Sequence, residues 1–295
     1  MTNKTKNNIH NPYANSLNGL LIEDPVSAFF QFCKEREAIR LKRKSGFPPP
    51  WSNDEIFQKG RFLNVFREHD RGSKAIIRFI NQVNPDFPSL VQAVFFSRWC
   101  NRQETLDVLD PSLLIQPIKL FNFLKEKEPW CNVNAYPVEA INWKGKKYSR
   151  IDTATHIFHT HKKEISKIIS SSKGSVINAT NKINQIFQME NDFPIFMAVM
   201  DIAWFRPEII KPDSIVPVGI GAIAYMNVLK SYLKLETDEQ IFDHMIKIQK
   251  DYWAKAKRDF FPIDIEYLLC ECRKYYSYVN GTKLFKGKNV FKPKR

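Results

Sequence analysis

The stretch PVSAFFQFCKEREAIRLKRK, Pro25 to Lys44, sets Phe29, Cys33, Arg36, Arg40 and Arg43 at helical spacing, so it reads as a helix that opens on a proline. Its later turns carry a ridge of arginines, Arg36, Arg40 and Arg43, cationic forks suited to phosphate oxygens. The helix must stop at Gly46-Phe47-Pro48-Pro49-Pro50-Trp51, because successive prolines remove backbone donors and fix an extended path. Ser52-Asn53-Asp54-Glu55 then reads as a cap opening a second helix through Arg61, Asn64, Val65 and Arg67. Further helical patterns fall at 73–83, 88–100, 113–126, 161–171, 176–188, 193–204 and 222–234. Strand signals are weak, the best being a short hairpin within 133–143. The expected fold class is mainly α.

The chain has 295 residues, 43% hydrophobic and 26% charged, the balance of a globular protein with a substantial core. No internal repeat or linker divides it, so one body, of one lobe or two, is expected. Residues 1–24 are expected to form a flexible N-terminal segment and 25–282 the helical body, with lobes of about 25–175 and 176–282. Residues 283–295 form a basic C-terminal tail. The longest apolar run, Phe193 to Phe205, contains Asp201 and falls short of the roughly 20 residues that span a bilayer. The polar N-terminus lacks a secretory run, and five cysteines without framework spacing fit a reducing compartment. A cytoplasmic location is expected, with no membrane partner.

Lys and Arg number 45 against 31 Asp and Glu, a net charge of +14. Such a field favours a polyanion, with nucleic acid first among partners. Lys283, Lys286, Lys288, Lys292, Lys294 and Arg295, interleaved with Phe285 and Phe291, form either a basic arm on a nucleic acid backbone or a solvated tail.

Arg61 to Arg71 is the densest polar cluster. On a helix, Arg61, Asn64 and Arg67 share a face, with Asp70 and Arg71 at its end; that face either binds an anionic or base-like ligand or forms an ion-paired network. Asp201, inside an apolar run, requires a partner if buried, and either pairs structurally, with an arginine of the first half as one choice, or serves a site. Asp213 precedes Gly219 by six residues and is either a cap or a reactive carboxylate. Gly219-Ile220-Gly221-Ala222 opens a helix in a way that lets backbone approach a phosphate. His156, His159 and His161 do not converge on a helix, so no metal is expected. The chain has no GxxxxGK[ST], GxSxG or HExxH run, and no cofactor is expected.

In order along the chain come Phe32-x-x-x-Arg36-x-x-Ile39, Gly46-Phe47-Pro48-Pro49-Pro50-Trp51-Ser52-x-Asp54, and Arg61-Phe62-x-Asn64-Val65-Phe66-Arg67-Glu68-x-Asp70-Arg71. Phe96-x-Arg98-x-x-Asn101-Arg102-x-Glu104-Thr105, Phe196-Met197-Ala198 with Asp201-Ile202, and Gly219-Ile220-Gly221-Ala222 follow. The last motif is Asp264-Ile265-Glu266-x-x-Leu269-Cys270-Glu271-x-x-Lys274-Tyr275. Over about residues 25–290 this series resembles the 5-hydroxymethyluracil DNA kinase helical domain and amino acid:DNA transferase family, formerly the α-glutamyl/putrescinyl thymine pyrophosphorylases.

The resemblance implies a helical fold akin to helix-hairpin-helix DNA glycosylases, working on modified pyrimidines in double-stranded DNA. Members of the group include phage enzymes that load amino acids onto activated hydroxymethyluracil, and bacterial relatives that excise glucosylated hydroxymethylcytosine from phage DNA, an antiviral activity. The family's polar positions fall on Arg61, Asn64, Arg67, Asp70, Arg71, Asn101, Asp201, Gly219, Gly221, Glu266 and Lys274, and Asp213 falls where a glycosylase of this fold keeps its carboxylate. Two motifs depart: the family's Gly-Pro-Gly-Ala reads Gly219-Ile220-Gly221-Ala222, and the expected glycine-rich hairpin reads Asn191-Asp192-Phe193-Pro194.

The leading expectation is a DNA glycosylase that flips a hypermodified pyrimidine into a pocket lined by Trp51, Phe66 and the Arg61, Asn64 and Arg67 face, with Asp70, Arg71 and Asn101 beside it. Asp213 or Asp201 would stabilise the oxocarbenium-like sugar, while Arg36, Arg40, Arg43, Gly219, Gly221 and Lys274 would hold phosphates. The alternatives are an amino acid:DNA transferase acting on pyrophosphorylated hydroxymethyluracil, which requires a separate base kinase, and a non-catalytic DNA-binding module.

Overall fold

The computed structural model describes residues 24–83, 86–132, 141–286 and 290–291. The expected N-terminal segment, the first part of the expected hairpin and most of the basic tail lie outside the described residues. In chain order the helices begin with α1 (Pro25–Lys44), α2 (Glu55–Lys59), a 3-10 turn (Arg67–His69), α3 (Arg71–Ile80), α4 (Phe87–Cys100) and α5 (Gln103–Leu106). A second 3-10 turn (Pro111–Ile115) precedes α6 (Pro117–Glu126), then strands β1 (Ile141–Trp143) and β2 (Lys146–Tyr148). After α7 (Arg150–Asp152) a π turn (Thr153–Ile157) runs into α8 (Phe158–Ser170). The last helices are α9 (Val176–Phe187), α10 (Phe193–Phe205), α11 (Ile223–Leu233), α12 (Asp238–Trp253) and α13 (Pro262–Val279).

Two compact units share this chain: residues up to Arg67 together with Val216 onward, and Glu68 to Ile215 between them. The expected division near residue 175 instead falls between α8 and α9, inside the second unit, where those two helices pack on each other.

In the first unit α1 starts where Asp24 accepts the Val26 and Ser27 N–H groups and Pro25 supplies the first helical φ. It packs with α11, α12 and α13 around Phe29, Phe30, Phe66 and Phe260, with Tyr252 stacked on Phe30 at 5.0 Å. Each such aromatic removes a large apolar area from water, roughly 1.5–3 kcal/mol apiece. Cys33 and Cys272 are fully buried here, and desolvation pushes both thiols well above their usual range.

In the second unit α4 is the central helix, buried at every residue from Leu90 to Cys100 and packed by α8 and α10. Trp99, Phe95, Phe158 and Phe187 interlock there, Trp99 meeting Phe158 edge to face at 4.9 Å. β1 and β2 pair antiparallel with Ile141 opposite Tyr148, and Lys144 and Gly145, at φ +51° and +80°, supply the two left-handed residues of a tight hairpin turn.

The structure corrects two boundaries. The second helix ends at Lys59 and does not run through Arg61, Asn64, Val65 and Arg67. The Gly60 N–H donates to Ile56 O, and a Cβ at Gly60 would lie 2.8 Å from that oxygen. The expected helix at 113–126 is split at Gln116 into a 3-10 turn and α6, because Pro117 has no N–H to continue the ladder.

Candidate functional site

The polar residues of the first unit meet on α13, which presents two adjacent stripes. Tyr267, Glu271 and Lys274 recur at i, i+4 and i+7, and this stripe receives the loop 60–67. Glu271 accepts the Leu63 N–H at 3.0 Å and the Lys274 ammonium at 3.0 Å. The Tyr267 hydroxyl donates to the carbonyls of Asn64 and Val65, and the Arg67 guanidinium lies over the Tyr267 ring at 5.4 Å. From the other side Arg36 donates to Phe62 O at 3.2 Å and to Asn64 Oδ1 at 2.7 Å. These tertiary bonds occupy backbone groups that a helix would need for itself, which is why 61–66 is not helical.

The second stripe, Glu266, Cys270 and Arg273, meets the glycine turn before α11. Gly219 donates its N–H to Glu266 Oε1 at 2.9 Å, and Arg273 Nε donates to Gly221 O at 2.8 Å. A Cβ at Gly219 would lie 3.0 Å from Glu266 Oε1, and one at Gly221 only 2.4 Å from Cys270 Sγ. The spacing of these glycines is thus explained by close approach to α13, and the Gly219 N–H is already spent on a carboxylate. Burial pushes the Glu266 carboxyl above its ordinary range, against the smaller opposing effects of the Gly219 N–H and Arg67.

The arginine ridge of α1 is dispersed among different tasks. Arg36 is 6% exposed and turned inward onto the 60–67 loop. Arg40 pairs with Glu37 at 2.5 Å, and Arg43 lies 5.1 Å over both the Trp51 and Phe291 rings. Trp51 is half-buried and donates its indole N–H to Phe47 O at 2.6 Å. Phe66 is fully buried, stacked on Trp253 at 5.9 Å under the Arg258 guanidinium at 4.8 Å; it is a core ring and offers no face to a pocket. Arg61 is exposed. At the tail, Phe285 stacks on Tyr278 at 4.3 Å, and Phe291 N–H donates to Lys59 O at 2.7 Å.

The second unit holds the remaining expected residues. Asp201 is gripped by Arg98 through two hydrogen bonds, one of 2.6 Å, with side chains 12% and 5% exposed. Asp213 is exposed in the loop between α10 and α11. Asp70 is the residue before α3, and Arg71 donates to Gln103 and to Glu104, the latter at 3.2 Å. Asn101 closes α4 at φ +41°, a left-handed position that asparagine tolerates better than most residues. Of the histidines, His161 Nδ1 meets Glu164 at 3.1 Å against the Trp143 ring, and His156 Nδ1 meets Thr155 Oγ1 at 2.8 Å.

Tyr267, Glu271 and the Arg258–Asp264 pair were not singled out as site residues by sequence reasoning. Arg258 bonds Asp264 at 2.5 and 3.0 Å, and Asp264 also accepts the Phe261 N–H, fixing the start of α13. The available signal was the repeat of charged and phenolic residues through an otherwise apolar helix, 264, 266, 267, 271 and 274. Glu266 and Lys274 fall on polar positions of the family motif.

Among the described residues no helix is long and apolar enough to cross a membrane. No curated protein and no solved structure matches the chain significantly. Residues 23–282 match the family model described as "5-hmdU DNA kinase, helical domain", a span that contains every site residue from Arg36 to Lys274, and the chain belongs to that family.

Proposed function

We propose that this chain is a DNA-modifying enzyme that excises a hypermodified pyrimidine from duplex DNA, with Glu266 as its reacting carboxylate. The family description names a DNA kinase of 5-hydroxymethyldeoxyuridine, and the net charge of +14 supplies the field that draws a polyanion. The observation that carries the reading is the buried Glu266 carboxyl, raised above its ordinary range, held by a backbone N–H and near Arg67. Burial makes this carboxylate a stronger base than an ordinary exposed one, the property that a group taking a proton from water in base excision uses.

In the proposed step a flipped nucleotide brings its C1′ beside Glu266. Water attacks C1′ and its proton passes to the Glu266 carboxylate. The C1′–N1 bond breaks with its electron pair on the base, which then takes a proton from solvent, while Arg67 offsets the charge on the departing base. Asp201 and Asp213 remain the competing carboxylates. Asp201 is committed to Arg98 through both carboxylate oxygens and Asp213 stands exposed on its loop, whereas Glu266 meets the Gly219 N–H through Oε1 alone.

The test is incubation of the purified chain with DNA containing thymine, 5-hydroxymethyluracil, 5-hydroxymethylcytosine or its glucosylated form, then alkali cleavage and mass spectrometry of released bases. Release that disappears in Glu266→Gln while DNA binding persists supports the reading. Release surviving Glu266→Gln but lost in Asp213→Asn or Asp201→Asn overturns the carboxylate assignment. Intact strands, with labelled amino acid joining pyrophosphorylated hydroxymethyluracil DNA, overturn the excision reading in favour of transfer. Salt-dependent binding with no product leaves a binding module.

A further inference from the structure

Between Glu37 and Asp54 the sequence holds Arg40, Lys42, Arg43 and Lys44 and no acid. Three residues past the last of these cations a phenyl ring stands in water: Phe47 is 61% exposed. A single exposed phenylalanine is ordinary, but the mounting of this one is not. Its N–H donates to Lys42 O at 3.1 Å, and its carbonyl accepts the Trp51 indole N–H at 2.6 Å. The Lys42 ammonium closes the same loop on Trp51 O at 2.8 Å. Gly46 takes φ +78° to make the bend, and the three prolines that follow have fixed φ and no N–H to offer another pairing. Both backbone polar groups of Phe47 are therefore bound, and the loop holds the ring outward. Beside it, the Arg43 guanidinium lies 5.1 Å from both the Trp51 and Phe291 rings, which meet each other edge to face at 5.9 Å, and this keeps a cation at the base of the loop.

An apolar ring on a braced loop that follows directly on four cations matches a polymer that is anionic outside and stacked inside. We infer that Phe47 is a wedge that enters the base stack of duplex DNA while Lys42, Arg43 and Lys44 lie against its phosphates. The inference rests on the DNA-acting function proposed above and adds to it the element that opens the duplex. Inserting an apolar side chain between base steps unstacks them, and a ring filling the gap lowers the cost of keeping a nucleotide flipped. An anionic lipid surface shares the charge, yet the loop and the end of α1 expose only Phe47 and, at 48%, Leu41 as large apolar side chains. That is little apolar surface for a bilayer.

The probe is a duplex with one central 5-hydroxymethyluracil and a neighbouring 2-aminopurine, mixed with the full chain at fixed low salt. The expected result is a rise in 2-aminopurine fluorescence with the wild-type chain that is at least about fivefold smaller with Phe47→Ala, while the Kd stays within about threefold. Phe47→Leu and Phe47→Trp restore the rise. An equal rise with Phe47→Ala, or wild-type binding with no rise, overturns the wedge and leaves the DNA reading standing. Absence of any duplex binding by the wild-type chain overturns the DNA reading itself. Phe47-dependent sedimentation with phosphatidylserine vesicles, without duplex unstacking, overturns the wedge in favour of a lipid surface.

Discussion

The Glu266 carboxylate accepts the Gly219 N–H at 2.9 Å, so one acid of α13 closes the turn that leads into α11. Burial raises this carboxyl, and the Gly219 N–H and Arg67 only partly restrain it. The group is thereby both a clasp for the turn and a proton acceptor whose readiness depends on pH.

That dependence has a definite sign. A carboxyl raised in the folded state binds more protons there than in the unfolded chain between its ordinary value of 4.5 and its raised one. Stability contributed by the protonated form is therefore full below 4.5 and is lost as pH rises through the folded value. Glu266→Gln keeps an oxygen for the Gly219 N–H and removes the ionisation. Its thermal midpoint is expected to hold steady over that pH window while the wild-type midpoint falls. Parallel profiles for the two proteins would contradict the burial of a titrating acid.

The other glycine of the turn offers a steric test. A Cβ at Gly221 would lie 2.4 Å from Cys270 Sγ and 3.4 Å from its Cβ, so Gly221→Ala is expected to cost about 1–3 kcal/mol by overpacking. Most of the clash is one sulfur atom. Cys270→Ala in the same chain should recover the larger part of that loss in urea denaturation, and additive losses would show that the glycine is needed for another reason.

The helices that could be read from sequence are those whose signals are local. Pro25 announces α1, Gly46 and the prolines end it, and the apolar runs of α4 and α10 are long enough to be helical by pattern alone. The loop 60–67 departs from its helical spacing because that spacing is overruled from a distance. Phe62 O is taken by Arg36, 26 residues away, and the Leu63 N–H by Glu271, 208 residues away. The site suffers similarly: Glu266 gains its character from burial and from a glycine 47 residues upstream, neither of which is visible in the spacing of α13. Asp201, by contrast, announced its need for a partner by standing in an apolar run, and Arg98 supplies it.

Arg36 gives a prediction for that same loop. Its planar fork reaches both Phe62 O and Asn64 Oδ1, which the single ammonium of lysine cannot reproduce. Arg36→Lys is expected to cost about 1.5–3 kcal/mol, the range for hydrogen bonds to a charged group. Hydrogen exchange should quicken at the Leu63 amide, whose bond to Glu271 depends on the loop staying seated. Unchanged exchange there would mean that Tyr267 and Glu271 hold the loop without Arg36.

Arg98 and Asp201 provide the sharpest separation of structure from catalysis. The pair is buried and doubly hydrogen bonded, so Asp201→Ala leaves an uncompensated guanidinium in an apolar interior and is expected to cost about 3–5 kcal/mol. Replacing both partners by apolar residues of similar size, Arg98→Met with Asp201→Leu, removes the charge along with its partner and should recover most of the loss. Chemical denaturation of the two single variants and the double variant reads this coupling directly. If Asp201 is a structural residue, base release by the double variant follows its recovered stability. A double variant that is stable, binds DNA and releases no base would instead return Asp201 to the reacting centre and displace Glu266.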